Sequence, residues 1–252
     1  MGMTQPIGRT GSRSGRPLVS IALKGEPLVA DAPHQTRCAG EEHRILLCDV
    51  AWEVYAALRA GDRNGGVRMT FDDGRLEIVS PSYRHESSSN LLGRFVEAFT
   101  GENDLPLRAA GSTTWQLPPL SKGLEADRCY YIQNAAAVAA CDEIDLTIHP
   151  PPDLAAEVEV SSPALAKLPI YEVMKVPEVW LWRRERIRVF VLGPDGSYAE
   201  VSESRCLPGF PLRDAERLID QRASADDNTL VRAFRKIVRD LLPKPDGSND
   251  LT

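Results

Sequence analysis

The chain has 252 residues, of which 42% are hydrophobic, enough to bury a sizeable core. A net charge of −6 and a pI near 5.4 exclude a generally basic nucleic-acid-binding protein, so a polyanionic partner would need a local basic patch. The five cysteines are scattered and odd in number, which favours reduced thiols and excludes a zinc-binding spacing. Without a membrane-spanning run or a signal peptide, the sequence predicts a cytoplasmic protein with no membrane partner.

The pattern along the chain divides it into three parts. Residues 1–40 combine Gly, Ser, Pro and Arg with little periodicity, and we predict a flexible tail there. Residues 41–220 carry the helix and strand patterns of one folded domain, which begins with a helix around 52–58. Residues 221–252 predict an amphipathic helix with a basic face, followed by a short tail.

The first helix is followed by a β-hairpin with the turn 72–74 and by a helix whose capping hydroxyl comes from the segment Ser80-Pro81-Ser82. Three polar residues in this segment can be explained by structural roles. Glu77 lies on the second hairpin strand, where facing solvent would explain it. Glu86 lies in the first turn of the capped helix, where the helix dipole favours a carboxylate for structural reasons alone. His85 is suited to contacting phosphate or shuttling a proton, but equally to capping or packing.

The later segments alternate between strand and helix patterns. In chain order they predict strands at 105–110 and 112–117, a loop at 118–123, a strand at 129–132, an alanine-rich helical turn from 134, a strand at 154–160, a short helix at 164–173, strands at 178–182, 187–192 and 198–201, and a helix from 214 onward.

The strand at 154–160 carries two carboxylates. Side chains on a strand alternate between faces, so Glu157 and Glu159 point to one side while Ala156 and Val158 point to the other. Neighbouring carboxylates repel each other and resist desolvation, so water, a cationic side chain or a divalent metal must compensate. An edge strand with a solvated polar face explains the same pattern equally well.

A third carboxylate, Asp127, stands immediately before the strand at 129–132. An aspartate at the mouth of one strand and a glutamate within the next is an arrangement that recurs where a metal is held against a phosphodiester. The metal polarises the phosphoryl oxygen and lowers the pKa of a bound water, which then attacks in line.

Five segments, in this order, resemble the Uma-type restriction endonucleases, a family within the PD-(D/E)XK nuclease superfamily. They are DGRLEIVSPSYRHE (73–86), GSTTW (111–115), KGLEADRCYYIQN (122–134), PPDLAAEVEVSSPALAKLPIYEVMKVPEVWLW (151–182) and PDGSY (194–198). The resemblance covers most of residues 45–220. It implies an α/β fold with a restriction-endonuclease-like core, in which a mixed central β-sheet is flanked by helices, and it implies DNA as the substrate.

The resemblance also implies a set of site residues. Asp127 matches the aspartate of the PD element, Glu157 the acidic residue of (D/E)XK, and Glu159 stands in the place of its lysine. These three are the expected ligands of Mg²⁺ or Mn²⁺, although Glu159 could instead accept a proton from the attacking water. Lys167, in the KLPIY segment, is the candidate to replace the motif lysine, with a surface lysine as the alternative. Glu77 and Glu86 compete for the role of the further catalytic carboxylate that such nucleases often take from an early core element, and Glu86 is favoured.

The main hypothesis is therefore a Mg²⁺- or Mn²⁺-dependent endonuclease that hydrolyses DNA, and by analogy with enzymes that cut two strands a homodimer is expected. The first rival is a catalytically degraded nuclease fold that acts as a nucleic-acid-binding or regulatory interaction module. The second rival is a structural or partner-interaction protein. The three hypotheses predict different results. An active nuclease cleaves DNA, a degraded fold binds DNA in a salt-sensitive manner without cleaving it, and a structural protein forms stable oligomers without DNA binding or cleavage.

Overall fold

The computed structural model describes residues 42–61 and 66–243, so the tail predicted over residues 1–40 lies outside the described residues. The helices are α1 Trp52–Arg59, α2 Tyr83–Glu102, α3 Leu168–Met174, α4 Leu212–Asp220 and α5 Asp227–Leu241. The strands are β1 His43–Leu47, β2 Arg68–Asp72, β3 Arg75–Ser80, β4 Arg108–Ala109, β5 Thr114–Leu117, β6 Lys122–Glu125, β7 Arg128–Tyr131, β8 Leu154–Glu159, β9 Glu178–Arg183, β10 Arg186–Leu192 and β11 Tyr198–Val201. In the described ranges, no helix is long and apolar enough to cross a membrane.

The first sheet has five antiparallel strands in the order β1-β3-β2-β6-β5. Its β2–β3 hairpin closes through Asp73 and Gly74, whose φ angles of 48° and 82° are those of a two-residue primed turn. Aspartate followed by glycine is the sequence that such a turn favours. The hairpin predicted from the sequence is thus confirmed.

The second sheet has six strands in the order β11-β10-β9-β8-β7-β4, and it is mixed because β8 and β9 are parallel. The chain passes from β8 to β9 through α3. Strand β8 is central, since Ala156 is paired with Arg128 of β7 on one side and with Trp180 of β9 on the other. The explanation of Glu157 and Glu159 as side chains of a solvated edge strand is therefore wrong.

Three apolar clusters fill the space between these layers. Helices α2, α4 and α5 cover one face of the mixed sheet, where Phe95 stacks on Phe234 with ring centroids 4.4 Å apart. The opposite face of the mixed sheet packs with residues of the antiparallel sheet, including Trp115. Helix α1 covers the antiparallel sheet through Tyr55, which stacks on Phe71. Both faces of the mixed sheet are thus buried, as the hydrophobic runs of its strands require.

Some predicted elements differ from the structure. The loop expected at 118–123 contains a short 3₁₀ turn and the start of β6, and the helical turn expected from 134 is part of a run of hydrogen-bonded turns at 133–140. Strand β6 contains Gly123, which has a low β-propensity. The ring of Tyr55 lies directly against Gly123, at the place where a Cβ would be, so this strand depends on packing that the local sequence does not reveal.

The two sheets are joined by Ala126 and Asp127, which connect β6 of the first sheet to β7 of the second. Asp127 therefore lies where the sheets meet. Because Arg128 is paired with Ala156, the register also brings Asp127 next to Glu157. The fold thus brings two of the predicted site residues together across neighbouring antiparallel strands.

Candidate active site

A small cavity of about 30 Å³ lies at the junction of the two sheets. This is room for about one water molecule. The charged side chains that line it are Arg44, Arg68, His85, Asp127, Glu157, Glu159 and Lys167. Four cationic groups thus surround three carboxylates that the sequence predicted to act together.

Asp127 is buried, and its position is fixed from two directions. Its Oδ2 accepts a hydrogen bond from the backbone N–H of Val158 at 2.8 Å and lies 3.1 Å from Nε2 of His85. Burial alone would raise the pKa of Asp127, but the charge of Lys167 and the interactions with His85 and Val158 hold this pKa well below its usual range. Asp127 is therefore an ionised carboxylate.

Glu157 is also buried, but its environment shifts its pKa in the opposite direction. Its Oε2 accepts a hydrogen bond from Nζ of Lys167 at 2.6 Å, and its Oε1 accepts one from the hydroxyl of Tyr171. Burial and the negative charge of Asp127 raise the pKa of Glu157 to about 7, although Lys167 and Tyr171 act against this rise. Near neutral pH the pair of carboxylates therefore holds a proton part of the time.

Lys167 lies immediately before α3 and turns inward towards the carboxylates. Its side chain is 21% exposed, and its Nζ lies 3.4 Å from the carbonyl oxygen of Glu125 as well as 2.6 Å from Glu157. Burial lowers the pKa of Lys167, but the charges of Glu157 and Asp127 more than offset this and raise it. Lys167 is therefore a charged group of the cavity and does not fit the alternative of a surface lysine.

Glu159 lies beside the carboxylate pair but interacts with a different cation. Its Oε2 is buried without a hydrogen bond and lies 3.5 Å from Nε of Arg183. Burial raises the pKa of Glu159, with Arg183 and Lys167 opposing the rise. Within residues 42–61 and 66–243, no three or more His, Cys, Asp and Glu side chains are grouped closely enough to hold a metal ion. The structure thus pairs Asp127 with Glu157 and leaves Glu159 at the edge.

Glu86 and His85 lie in the first turn of α2, which Ser82 caps by accepting a hydrogen bond from the backbone N–H of His85. Glu86 does not line the cavity; its Oε1 lies 3.4 Å from Arg68 and 3.6 Å from Nδ1 of His85, and His85 lowers the pKa of Glu86. Burial lowers the pKa of His85, but Asp127 and Glu86 raise it to about 10. His85 is therefore charged at neutral pH and gives Asp127 a cationic partner.

Glu77 is buried, so the explanation that it simply faces solvent is wrong. It accepts hydrogen bonds from the backbone N–H groups of Ala164 at 2.8 Å and Leu165 at 3.3 Å, and it pairs with Arg44 at 2.9 Å. These bonds hold the loop between β8 and α3. Lys167 lies at the end of that loop, immediately before α3.

The residues of the site that were not predicted from the sequence include Tyr171, Arg44 and Arg68. Tyr171, which donates to Glu157, lies in the KLPIY segment four residues after Lys167, so helical spacing was a signal for it. Arg68, whose Nε lies 3.9 Å from Oδ1 of Asp127, gave no signal. Its approach depends on how the antiparallel sheet meets the mixed sheet.

A family model described as Uma2, "putative restriction endonuclease", matches residues 52–218. The match covers more than half of the chain and includes Asp127, Glu157 and Lys167. A comparison with curated proteins found no match. The family resemblance predicted from the sequence motifs is thereby confirmed, and the α/β architecture, with a mixed sheet flanked by helices, agrees with the restriction-endonuclease-like fold that the resemblance implied.

Proposed function

The chain belongs to the Uma2 family, and from this membership we propose that it is a divalent-metal-dependent endonuclease that hydrolyses DNA phosphodiester bonds. The observation that carries the proposal is the buried pair of Asp127 and Glu157 with Nζ of Lys167 2.6 Å from Glu157. A purely structural ion pair would not need a second carboxylate beside it, since the second negative charge raises the cost of burial.

The carboxylates fit Mg²⁺ or Mn²⁺ as the metal of this reaction. Mg²⁺ commonly keeps several waters and is bound through one or two protein carboxylates, so Asp127 and Glu157 would suffice to hold it. As the candidate third ligand, Glu159 would have to turn its Oε2, which is buried without a hydrogen bond 3.5 Å from Nε of Arg183, towards the carboxylate pair. When bound, the metal would supply positive charge for the phosphoryl oxygen and a water of lowered pKa.

Lys167 takes the role of the motif lysine in this proposal. An ammonium group has three donors, and two of them are directed at Glu157 and at the carbonyl of Glu125. The third has no partner among the described residues and is free to contact a phosphate oxygen or the attacking water. A charge held here stabilises the negative charge that develops on the phosphate during the reaction.

The neighbouring residues hold these groups in place. Tyr171 fixes the orientation of Glu157, while Val158 and His85 fix that of Asp127. Glu86 acts one step further away, because it contacts His85 and Arg68 and does not reach the cavity. We thus propose Glu86 as a positioning residue.

The test is calorimetric titration with Mn²⁺ together with plasmid nicking, on the wild type and on Asp127→Asn and Glu157→Gln. These substitutions keep the side-chain shape but remove charge, so we expect metal binding to be lost and nicking to fall by at least about 100-fold. Glu200→Gln is the control, since Glu200 pairs with Arg188 on the surface and lies outside the cavity.

Metal-dependent nicking that is the same in Asp127→Asn and the wild type would disprove the proposal. A wild-type protein that binds DNA in a salt-sensitive manner without cutting it would support the degraded nuclease fold instead. The homodimer, which rests on analogy with enzymes that cut two strands, is tested separately by the mass of the protein in solution with and without DNA.

A further inference from the structure

A groove of about 340 Å³ adjoins the active-site cavity and shares Glu159 with it. We call it the arginine groove, after three of the residues that line it. Its lining consists of Arg84, Glu159, Val160, Ser161, Ser162, Trp182, Arg183 and Arg184. A nucleic-acid strand with one phosphate at the Asp127–Glu157 pair would have to continue across the neighbouring protein surface. The arginine groove is one such surface.

The arginine groove is assembled from three separate segments of the chain. Arg84 comes from the first turn of α2, and the two serines come from the loop after β8. Arg183 is the last residue of β9, and Arg184 follows it in the turn. Three guanidinium groups thus converge beside the active site in a chain whose net charge is −6. This is the local basic patch that a polyanionic partner of an acidic protein needs.

Arg184 lies in a turn that does not favour an arginine. The β9–β10 hairpin pairs Arg183 with Arg186, which leaves Arg184 and Glu185 as a two-residue turn with φ angles of 50° and 63°. Asn and Gly are preferred at such positions, because a Cβ makes the left-handed conformation unfavourable. Backbone strain of this kind clusters at functional sites, which is consistent with a role for the side chain at this position.

Arg184 is also the least neutralised cation of the groove. Arg183 lies 3.5 Å from Glu159 and donates to Ser162 at 2.7 Å, and Arg84 lies 3.8 Å from Glu185. Arg184 is exposed, and no carboxylate among residues 42–61 and 66–243 forms an ion pair with it. An unpaired exposed guanidinium keeps its full capacity for a phosphate.

The basic surface ends near Arg184. A second groove of about 560 Å³ begins there and is lined by further arginines, but Arg186 and Arg213 both pair with Glu216, and Arg217 pairs with Asp214. Apart from Arg184, the three arginines of this second groove are matched by three carboxylates in the same lining, Glu185, Glu216 and Asp220. Attraction for a polyanion is therefore concentrated in the arginine groove next to the active site.

We propose that the arginine groove binds the phosphodiester backbone of double-stranded DNA on one side of the cleavage position, with Arg184 as its main phosphate contact and Arg84 and Arg183 beside it. This inference rests on the proposed function for the identity of the polymer. The contacts are to the backbone, so they position the DNA without selecting its sequence.

The test measures binding of a fluorescently labelled DNA duplex by anisotropy, in buffer with EDTA so that no cleavage occurs, at salt concentrations from about 50 to 200 mM. Arg184→Gln removes the charge but keeps a long side chain, and glutamine, like arginine, has to adopt the left-handed backbone conformation at this position. We expect weaker binding, and a slope of log K against log salt that is smaller in magnitude by about 0.9 for each phosphate that the variant no longer neutralises. Arg232→Gln is the matched control, because Arg232 is exposed on α5 and lies outside the groove; it should bind like the wild type.

The proposed role of the arginine groove is contradicted if the slope of log K against log salt is the same for Arg184→Gln and the wild type. It is also contradicted if DNA binding by the wild type does not depend on salt. Asp127→Asn separates this inference from the proposed function. If the wild type binds DNA through Arg184 but never cleaves it, the proposed role of the arginine groove is supported and the proposed nuclease activity is contradicted. If cleavage depends on Asp127 but DNA binding does not depend on Arg184, the nuclease activity is supported and the role of the arginine groove is contradicted.

Discussion

At the scale of single residues, the site is distinguished by where its cation comes from. Glu159 stands where the motif places a lysine, and Lys167 reaches Glu157 from the segment that leads into α3. The loop between them is held by Glu77, which accepts hydrogen bonds from two of its backbone N–H groups. In the proposed site, the positive charge of the motif lysine is therefore supplied by a residue further along the chain, which contacts the same glutamate.

The first prediction concerns this displaced charge. Lys167→Met keeps the apolar stem but removes the ammonium group, so the cleavage rate should fall by about 100-fold or more, the usual cost of losing one group that stabilises transition-state charge. The measurement is the single-turnover nicking rate. Lys236→Met, an exposed lysine of α5, is the control and should nick like the wild type. If both variants nick equally fast, Lys167 has no role in the chemistry.

The second prediction separates positioning from stability. Tyr171→Phe removes the hydroxyl that donates to Glu157, and Tyr198→Phe removes one that donates to the carbonyl of Val176. Each variant should lose about 1–2 kcal/mol of unfolding free energy in urea, because each leaves a buried acceptor without its donor. Only Tyr171→Phe should also slow nicking, by several-fold. Equal nicking rates would mean that Glu157 needs no positioning by Tyr171.

The sequence motifs were sufficient to single out Asp127, Glu157 and Lys167, which the structure brings together, because each lies in a segment with a recognisable pattern. They were not sufficient for Arg68. Its approach to Asp127 is created by the meeting of two sheets, and sheet pairing has no local signature in the chain. Glu77 was misjudged for the same reason: alternation along a strand tells which side it faces but not what covers that side.

At the scale of elements, buried carboxylates fasten loops to strands. Glu178 at the start of β9 has no exposed surface, and its oxygens accept hydrogen bonds from Ser204, from the indole of Trp180, and from the backbone N–H groups of Arg205 and Cys206. The loop after β11 is thereby tied to the mixed sheet. The side chain of Glu178 thus connects this loop to the sheet, as backbone hydrogen bonds connect neighbouring strands elsewhere in the sheet.

The third prediction follows from this arrangement. Glu178→Gln replaces one acceptor oxygen with a donor that faces other donors, so we expect a loss of about 2–4 kcal/mol in unfolding free energy by urea denaturation. Glu200→Gln breaks the ion pair with Arg188, which is exposed, and should cost less than about 1 kcal/mol. Similar losses in the two variants would show that the loop is not held by Glu178.

Elements with their own local signals could be predicted, and elements that depend on distant partners could not. The β2–β3 hairpin was found because Asp73 and Gly74 suit its turn. Strand β6 was missed because Gly123 weakens its pattern and the ring of Tyr55, from another element, completes its packing. Strand β1 was missed because it is an exposed edge strand that pairs with β3 alone among the described strands.

At the scale of the whole molecule, helix α5 belongs to the core although it lies beyond the family match, which ends at residue 218. Its buried side chains Leu230, Phe234 and Val238 pack in the same cluster as those of α2. The basic face predicted for α5 is partly used in the same docking, since Arg235 and Arg239 both pair with Glu102 of α2. The alternation of apolar and basic residues predicted the helix, but only the packing shows what its cations contact.

The last prediction concerns the two ion pairs of Glu102 with Arg235 and Arg239, which we call the clamp, and tests how much they contribute to the unfolding free energy. Hydrogen bonds from Arg239 and Arg235 lower the pKa of Glu102 from 4.5 to about 2. Because the folded-state pKa lies below the unfolded one, the clamp's stabilisation is fully present above about pH 4.5 and is lost as the pH falls towards 2. Glu102→Gln should therefore lower the unfolding free energy at pH 7, by only about 1 kcal/mol because Arg239 is exposed and Arg235 only partly buried, so that solvent screens both ion pairs.

The difference between wild type and Glu102→Gln should shrink as urea denaturation is repeated below pH 4.5, because protonation removes the same charge that the substitution removes. Glu97→Gln is the control, since Glu97 is exposed on the same helix and forms no ion pair within the described ranges, and it should change stability little at any pH. A constant difference across the pH range would mean that the charge of Glu102 is unimportant. The docking of α5 would then rest on its apolar face alone, and the basic residues of that helix would be free to serve another purpose.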